Sequence, residues 1–245
     1  MEISSDERFA SSLQYIRRRL ATVGNVQCTL HNTQPRQVLR IEIRGASAVR
    51  QISAIIADAI ADIIVTDCKA YYIGDKIRLP IEDAVSRHAF IRALSTFDRD
   101  TDKIIAKTLL KLTPHFYLDS FYEFMLDVLK SRWNEVCILA NENICYLVCQ
   151  KTFLELLRFL ISNIESLSDE AHIVARGEPG KEELEVLGRG LKPLKNIYIN
   201  ESLPQDVQVV TKLVTIAPKR IFIYKDDSAL VQSIKNLFGS CVVVN

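Results

Sequence analysis

Phe9, Leu13, Ile16 and Leu20 recur at intervals of four, three and four residues. That spacing lines one face of a helix, so residues 6–22 are predicted to form an amphipathic helix closed by Gly24. Two alternating runs, NVQCTLH and QVLRIEIRG, follow on either side of NTQPR and read as a hairpin. In the second run Leu39, Ile41 and Ile43 point to one face, while Arg40, Glu42 and Arg44 point to the other and give the sheet a wet side. Between residues 46 and 65, Val49, Ile52, Ile55, Ile56, Ala59, Ile60 and Ile63 mark a helix buried along one side. The next stretch, CKAYYIGDKIRLP, fits a hairpin around Gly74 and Asp75 or the fraying end of that helix, with the hairpin preferred. Pro80 suits the first turn of a helix running to about Phe97.

Asp100 or Thr101 is placed to cap the helix DKIIAKTLLKL, which stops before Pro114. Ser120 with Glu123, and Thr152 with Glu155, have capping-box spacing and open two further helices, so the middle third is expected to be a helical bundle. From Ala171 the period changes. AHIVAR and ELEVLG flank GEPGKE as a second hairpin. Ser202 and Gln205 box the start of a helix through Val207, Val210, Leu213, Val214 and Ala217, ended by Pro218. RIFIY, DDSALVQSIKNLF and CVVV then give strand, helix, strand, and two wholly apolar strands in that order imply parallel pairing through a right-handed crossover. The expected fold class is mixed α+β: helix, hairpin and helix over residues 1–79, a helical bundle over 80–168, and a C-terminal α/β layer over 169–245, packed as one or two compact units.

Composition narrows the function classes. With 245 residues, 48% of them hydrophobic, the chain can bury a sizeable core. Lysine and arginine (31) nearly balance aspartate and glutamate (30), so no whole-molecule field steers it to nucleic acid or an anionic membrane. ISAIIADAIADIIV is too short for a bilayer and carries Asp58 and Asp62 four apart on one helical face, so no membrane span is expected. MEISSDERFA has no apolar core of a secretory signal, so a cytoplasmic location is expected. The six cysteines, at spacings of 40, 69, 8, 4 and 92, form no dense disulfide framework and are expected to be free thiols.

Three of those cysteines, Cys137, Cys145 and Cys149, fall on one broad helical face with Phe121, Met125, Val128, Val136, Ile144, Leu147 and Val148. Cysteine behaves there as a small hydrophobe, and without CxxC, CxxCH or a nearby histidine no metal and no cofactor are expected. DRDTDK has Lys103 and Leu109 where a calcium loop needs glycine and glutamate. GEPGK and LGRGLK lack the phosphate-loop pattern and read as turns. Cys28 and His31 are an odd number of strand positions apart and point to opposite faces, and His88 and His115 read as ordinary helix-end residues. No catalytic residue emerges, which leaves open whether the protein is an enzyme. The first 50 residues hold eight arginines, no lysine and four acids, a local charge of +4. Arg40 and Arg44, with Arg36 in register, form a candidate phosphate-binding surface for RNA or a nucleotide, although aromatic stacking residues are missing from those strands.

From about Asp119 onward, LDSFYEFMLDVLKSRW, CQKTFLELLRFLISNIES, DEAHIV and LVTIAPKRIFIY resemble the YtxC family of sporulation proteins from endospore-forming bacteria. The shared features are Leu118 and Phe121 at a helix entry, Phe153 with Leu156 to Phe159, the strand entry Asp169, Glu170 and His172, and Ala217 to Lys219 before an apolar strand. The resemblance implies a role in spore formation and carries no catalytic residues. His172 is the matching polar position with possible functional weight; sharing a face with Val174, it reads first as a satisfied core histidine. The expected function is non-enzymatic and exerted through other proteins. RNA or nucleotide binding through Arg36, Arg40 and Arg44, and an unrecognised hydrolase, are the alternatives. The oligomeric state is open.

Overall fold

A computed structural model of the chain describes all residues except 34, 145–148, 177–182, 195–196, 225–228 and 245, and all side chains of the described residues except those of 46 and 150. The fold is mixed α+β and divides into two compact units, residues 1–72 with 98–133 and residues 73–97 with 134–245.

Unit 1 holds a sheet of order β2-β3-β1-β4. β2 (Val26–Thr33) and β3 (Arg36–Ile43) form the expected hairpin, with an unbroken eight-position register. β1 (Glu2–Ser5) lies antiparallel to β3, and β4 (His115–Tyr117) lies parallel to β1. Neither short strand is predicted by the alternation pattern, because each has one buried apolar residue at its centre, Ile3 or Phe116. Leu30, Leu39, Ile3 and Phe116 form one cross-strand row through the four strands. α1 (Ala10–Leu20) follows a short 3-10 turn and packs on this sheet and on α2, burying Leu13, Ile16 and Leu20.

The chain is helical from Ala46 to Lys76: α2 (Ala46–Ile63), a π-helical turn at Ile64–Cys68, and α3 (Lys69–Lys76). This overturns the hairpin preferred around Gly74 and Asp75. Gly74 is not there to turn the chain: a Cβ at that position would come within 3.3 Å of the Ile91 side chain, so the glycine permits close packing within a helix. α4 (Ala84–Ser95) starts later than Pro80 suggests, because Asp83 accepts from the Val85 and Ser86 amides and fixes the entry. α5 (Arg99–Leu109) begins at Asp98, whose backbone is left-handed (φ 52°), rather than at Asp100 or Thr101.

α6 (Leu118–Met125) and α7 (Asp127–Ile144) are separate helices, broken at Leu126 (φ −102°, ψ 19°). The break shifts the helical phase, so the predicted stripe fails at Met125 and Val128. Those two are exposed and Leu126, Leu129 and Trp133 are buried in their place, while Phe121, Cys137 and Ile144 of the predicted stripe are buried as expected. Tyr117 precedes α6 and Cys149 caps α8 (Gln150–Ser162), so neither Ser120 nor Thr152 opens a helix. α9 (Gln205–Ile216) likewise starts after Pro204 without the Ser202 box and ends at Ala217.

Unit 2 carries a sheet of order β7-β6-β5-β8-β9, with β5 (Glu170–Arg176), β6 (Glu183–Gly188), β7 (Lys192–Pro193), β8 (Arg220–Ile223) and β9 (Val242–Val244). β5 and β6 pair antiparallel as expected, and the GEPGKE turn between them lies outside the described residues. β8 pairs parallel with both β5 and β9, with α10 (Ala229–Phe238) between β8 and β9. α4 packs on α8 and α9, and α10 packs on α8. Ile173, Val186, Ile221 and Ile223 are buried in the sheet.

Candidate functional site

Asp58 and Asp62 face α5 from α2, and the charges they meet come from two other helices, α1 and α5. Arg19 of α1 reaches Asp58 at 3.0 Å and Asp62 at 3.1 Å, Lys103 reaches them at 3.0 and 2.6 Å, and Lys107 bonds Asp58 at 2.5 Å. Tyr15 donates to Asp62 at 3.2 Å and is pushed up to about 12 by burial and by that carboxylate. Burial tends to raise the Asp58 carboxyl, yet hydrogen bonds from Lys107, Lys103 and Arg19 outweigh it and hold the group well below its ordinary value.

Asp102, the residue before Lys103 on α5, is wholly buried. Its Oδ2 accepts from Lys69 Nζ at 2.7 Å and from Trp133 Nε1 at 2.9 Å, and its Oδ1 accepts from Arg132 Nε at 3.1 Å. Lys69 is itself 1% exposed, and desolvation lowers its pKa despite the pairing. The π turn delivers this lysine. Its extra residue per turn changes the phase of the helix just before position 69, and the Thr66 hydroxyl donates to the Asp62 carbonyl where the ladder changes register. An acid engaged at both oxygens and shut from water is suited to clamping helices, not to moving protons. Among the buried residues of α5 are only Asp102 and Ala106, so this helix is held chiefly by charge. Sequence reasoning noted Asp58 and Asp62 on one helical face only as an argument against a membrane span, and it missed Lys69, Asp102 and Trp133. A lysine and an aspartate among many on helices carry no signal of burial until the phase shift is known.

In unit 2, His172 is 9% exposed and stacks on Phe222 and Tyr224, with centroids 5.0 and 5.8 Å away. Its Nδ1 lies 3.0 Å from the Tyr224 hydroxyl. Among the described residues Nε2 has no hydrogen-bond partner; Glu170 Oε2 stands 3.8 Å off, beyond hydrogen-bond reach. The histidine is half satisfied. Arg92, also missed from sequence, is buried in this unit and donates to Thr215 Oγ1 at 2.8 Å and to the Tyr198 carbonyl at 3.2 Å.

Arg36 and Arg40 share a face of β3, Arg44 follows its last residue, and each has a partner. Arg36 grips Asp119 with two bonds, at 3.0 and 2.7 Å, Arg40 bonds Glu2 at 3.0 and 2.8 Å, and Arg44 reaches Gln27 Oε1 at 3.4 Å. A phosphate would have to displace two carboxylates. The cysteines do not form one apolar face either. Cys137 is buried, with its thiol raised by desolvation, Cys145 lies outside the described residues, and Cys149 is exposed. Cys149 Sγ lies 3.0 Å from Thr152 Oγ1 and accepts from the Thr152 amide at 3.5 Å, and those contacts lower its pKa. Among the described residues no group of three or more His, Cys, Asp or Glu side chains is arranged to hold a metal ion, and no helix is long and apolar enough to cross a membrane.

Unit 1 also leaves large apolar side chains uncovered. Phe124, Met125 and Val128, at the α6–α7 corner, are 76%, 49% and 56% exposed. No curated protein and no solved structure matches the chain. The model of the YtxC-like family matches residues 54–243, from within α2 to β9. It thus covers the Asp58–Asp62 face, Lys69, Asp102 and the exposed corner, and it starts well before the Asp119 at which the resemblance is legible by eye. The chain belongs to the YtxC-like family.

Proposed function

We propose that the protein acts in the cytoplasm during spore formation by binding another protein, without turning over a substrate. The exposed corner of Phe124, Met125 and Val128 carries this reading. Large apolar side chains clustered at a helix junction are costly to leave in water and typically supply the anchors of an interface. Asp127, exposed between them, has the sign to meet a basic residue, so the fitting partner is an amphipathic helix with apolar anchors and a flanking lysine or arginine. The half-buried Asp58 and the buried Asp62 and Asp102 support a structural rather than a catalytic role, since each is neutralised by fixed cations. The sporulation setting rests on the family resemblance. Tagged protein from sporulating cells, compared with the Phe124→Glu/Val128→Glu variant, tests the proposal. The expected result is one protein captured by wild type alone. That protein, purified, should then bind the variant at least about 30-fold more weakly, the loss of one or two interface anchors. Equal binding by the two would refute it.

A further inference from the structure

Sheet edges usually carry a device against unwanted pairing: a charge, a proline, a bulge, short length or a covering element. β2, at one edge of the four-stranded sheet, lacks the first four. It has eight residues, no Lys, Arg, Asp, Glu or Pro, and an unbroken register with β3. The opposite edge, β4, has three residues. Along β2, Val26, Cys28 and Leu30 are half-buried on the core face, and Gln27, Thr29 and His31 are exposed on the other.

The surrounding charges leave this edge open. Arg36 and Arg40 turn away from it toward Asp119 and Glu2. Two cations approach its first half: Arg44 beside Gln27, and Arg17 of α1, near enough to Cys28 to oppose the rise that burial imposes on that thiol.

We propose that β2 pairs antiparallel with β2 of a second copy about a dyad at Thr29, joining two four-stranded sheets into one. In this register Thr29 faces its mate, Cys28 faces Leu30 and Gln27 faces His31. Three consequences favour it. Equal parity keeps Cys28 and Leu30 on the face of Leu39 and Ile3, so the apolar row runs on across the seam. A threonine pair on the dyad is a favourable cross-strand contact, and no like charges oppose each other. Antiparallel order sends Arg44 of the two copies, beside Gln27, to opposite sides of the dyad, and sets each Arg17, by Cys28, opposite Leu30 of the other copy rather than opposite its own mate. The contact is isologous and closes at two copies. It uses none of the α6–α7 corner and does not depend on the partner proposed above.

Sedimentation equilibrium of the full chain tests the pairing. Wild type and Thr29→Ser are expected to dimerise. Thr29→Lys and Thr29→Glu, each with like charges on the dyad, are expected to self-associate about tenfold or more weakly, and their equimolar mixture to recover a dimer. Thr29 is exposed, so unchanged melting of each variant checks that it folds. As an independent readout, amide exchange in β2 of the wild type should slow as concentration rises. A wild-type monomer at every concentration overturns the inference, even if β2 then captures a strand of another protein. So does a Thr29→Lys dimer as tight as wild type, or β2 exchange that ignores concentration.

Discussion

Asp102→Ala would leave the buried Lys69 ammonium without the carboxylate it bonds at 2.7 Å. Removing one partner of a buried ion pair costs roughly 3–5 kcal/mol, so the urea midpoint should fall by that equivalent. Lys69→Met should cost less, because Arg132 and Trp133 still satisfy Asp102. Asp58 gives the pH counterpart. Its folded pKa lies below the ordinary 3.8, so it contributes stability that is present above that value and lost as pH falls through the folded one. Asp58→Asn should therefore destabilise at neutral pH, the difference from wild type shrinking in acid, as thermal melts across a pH series would show. Cys149 separates what residue type reveals from what position decides. Its cysteine neighbours and apolar context suggested core, but Cys149 is itself extended (φ −125°, ψ 148°) and forms an exposed cap of α8. It should react with a thiol reagent far faster than buried Cys68 or Cys137, and Cys149→Ser should remove one fast-reacting thiol while keeping the cap.

At the scale of elements, period was the reliable signal and phase the unreliable one. The β2–β3 and β5–β6 hairpins and the parallel β8–β9 pair follow from alternation and apolar runs, because those patterns report burial directly. Helix entries were misplaced wherever a backbone event replaced a side-chain cap, as at Asp98 and Leu126. Residues displaced by such a break exchange buried for exposed positions together, which is why Met125 and Val128 were read as core. α5 offers a test at this level. With Ala106 fully buried against its neighbours, Ala106→Leu should overpack and destabilise by about 1–3 kcal/mol, read in chemical denaturation. Ile104, 66% exposed on the same helix, should tolerate lysine within about 0.5 kcal/mol.

Across the whole molecule, the two compact units interleave along the chain: residues 98–133 return to the unit begun by residues 1–72. No composition shift or linker marks that return, so sequence order alone did not show it. The buried ion pairs were equally illegible, since they join α2, α3 and α5 across segments whose relative placement only the fold supplies. The extra residue held in the Ile64–Cys68 turn sets a rule for chain length in the family. Deleting one position there would relax the turn to ordinary α-helix and swing everything after it by about 100° around the axis. A relative one residue shorter at this point would need its inward cation at a different step of the following helix, or an uncharged residue in place of Asp102.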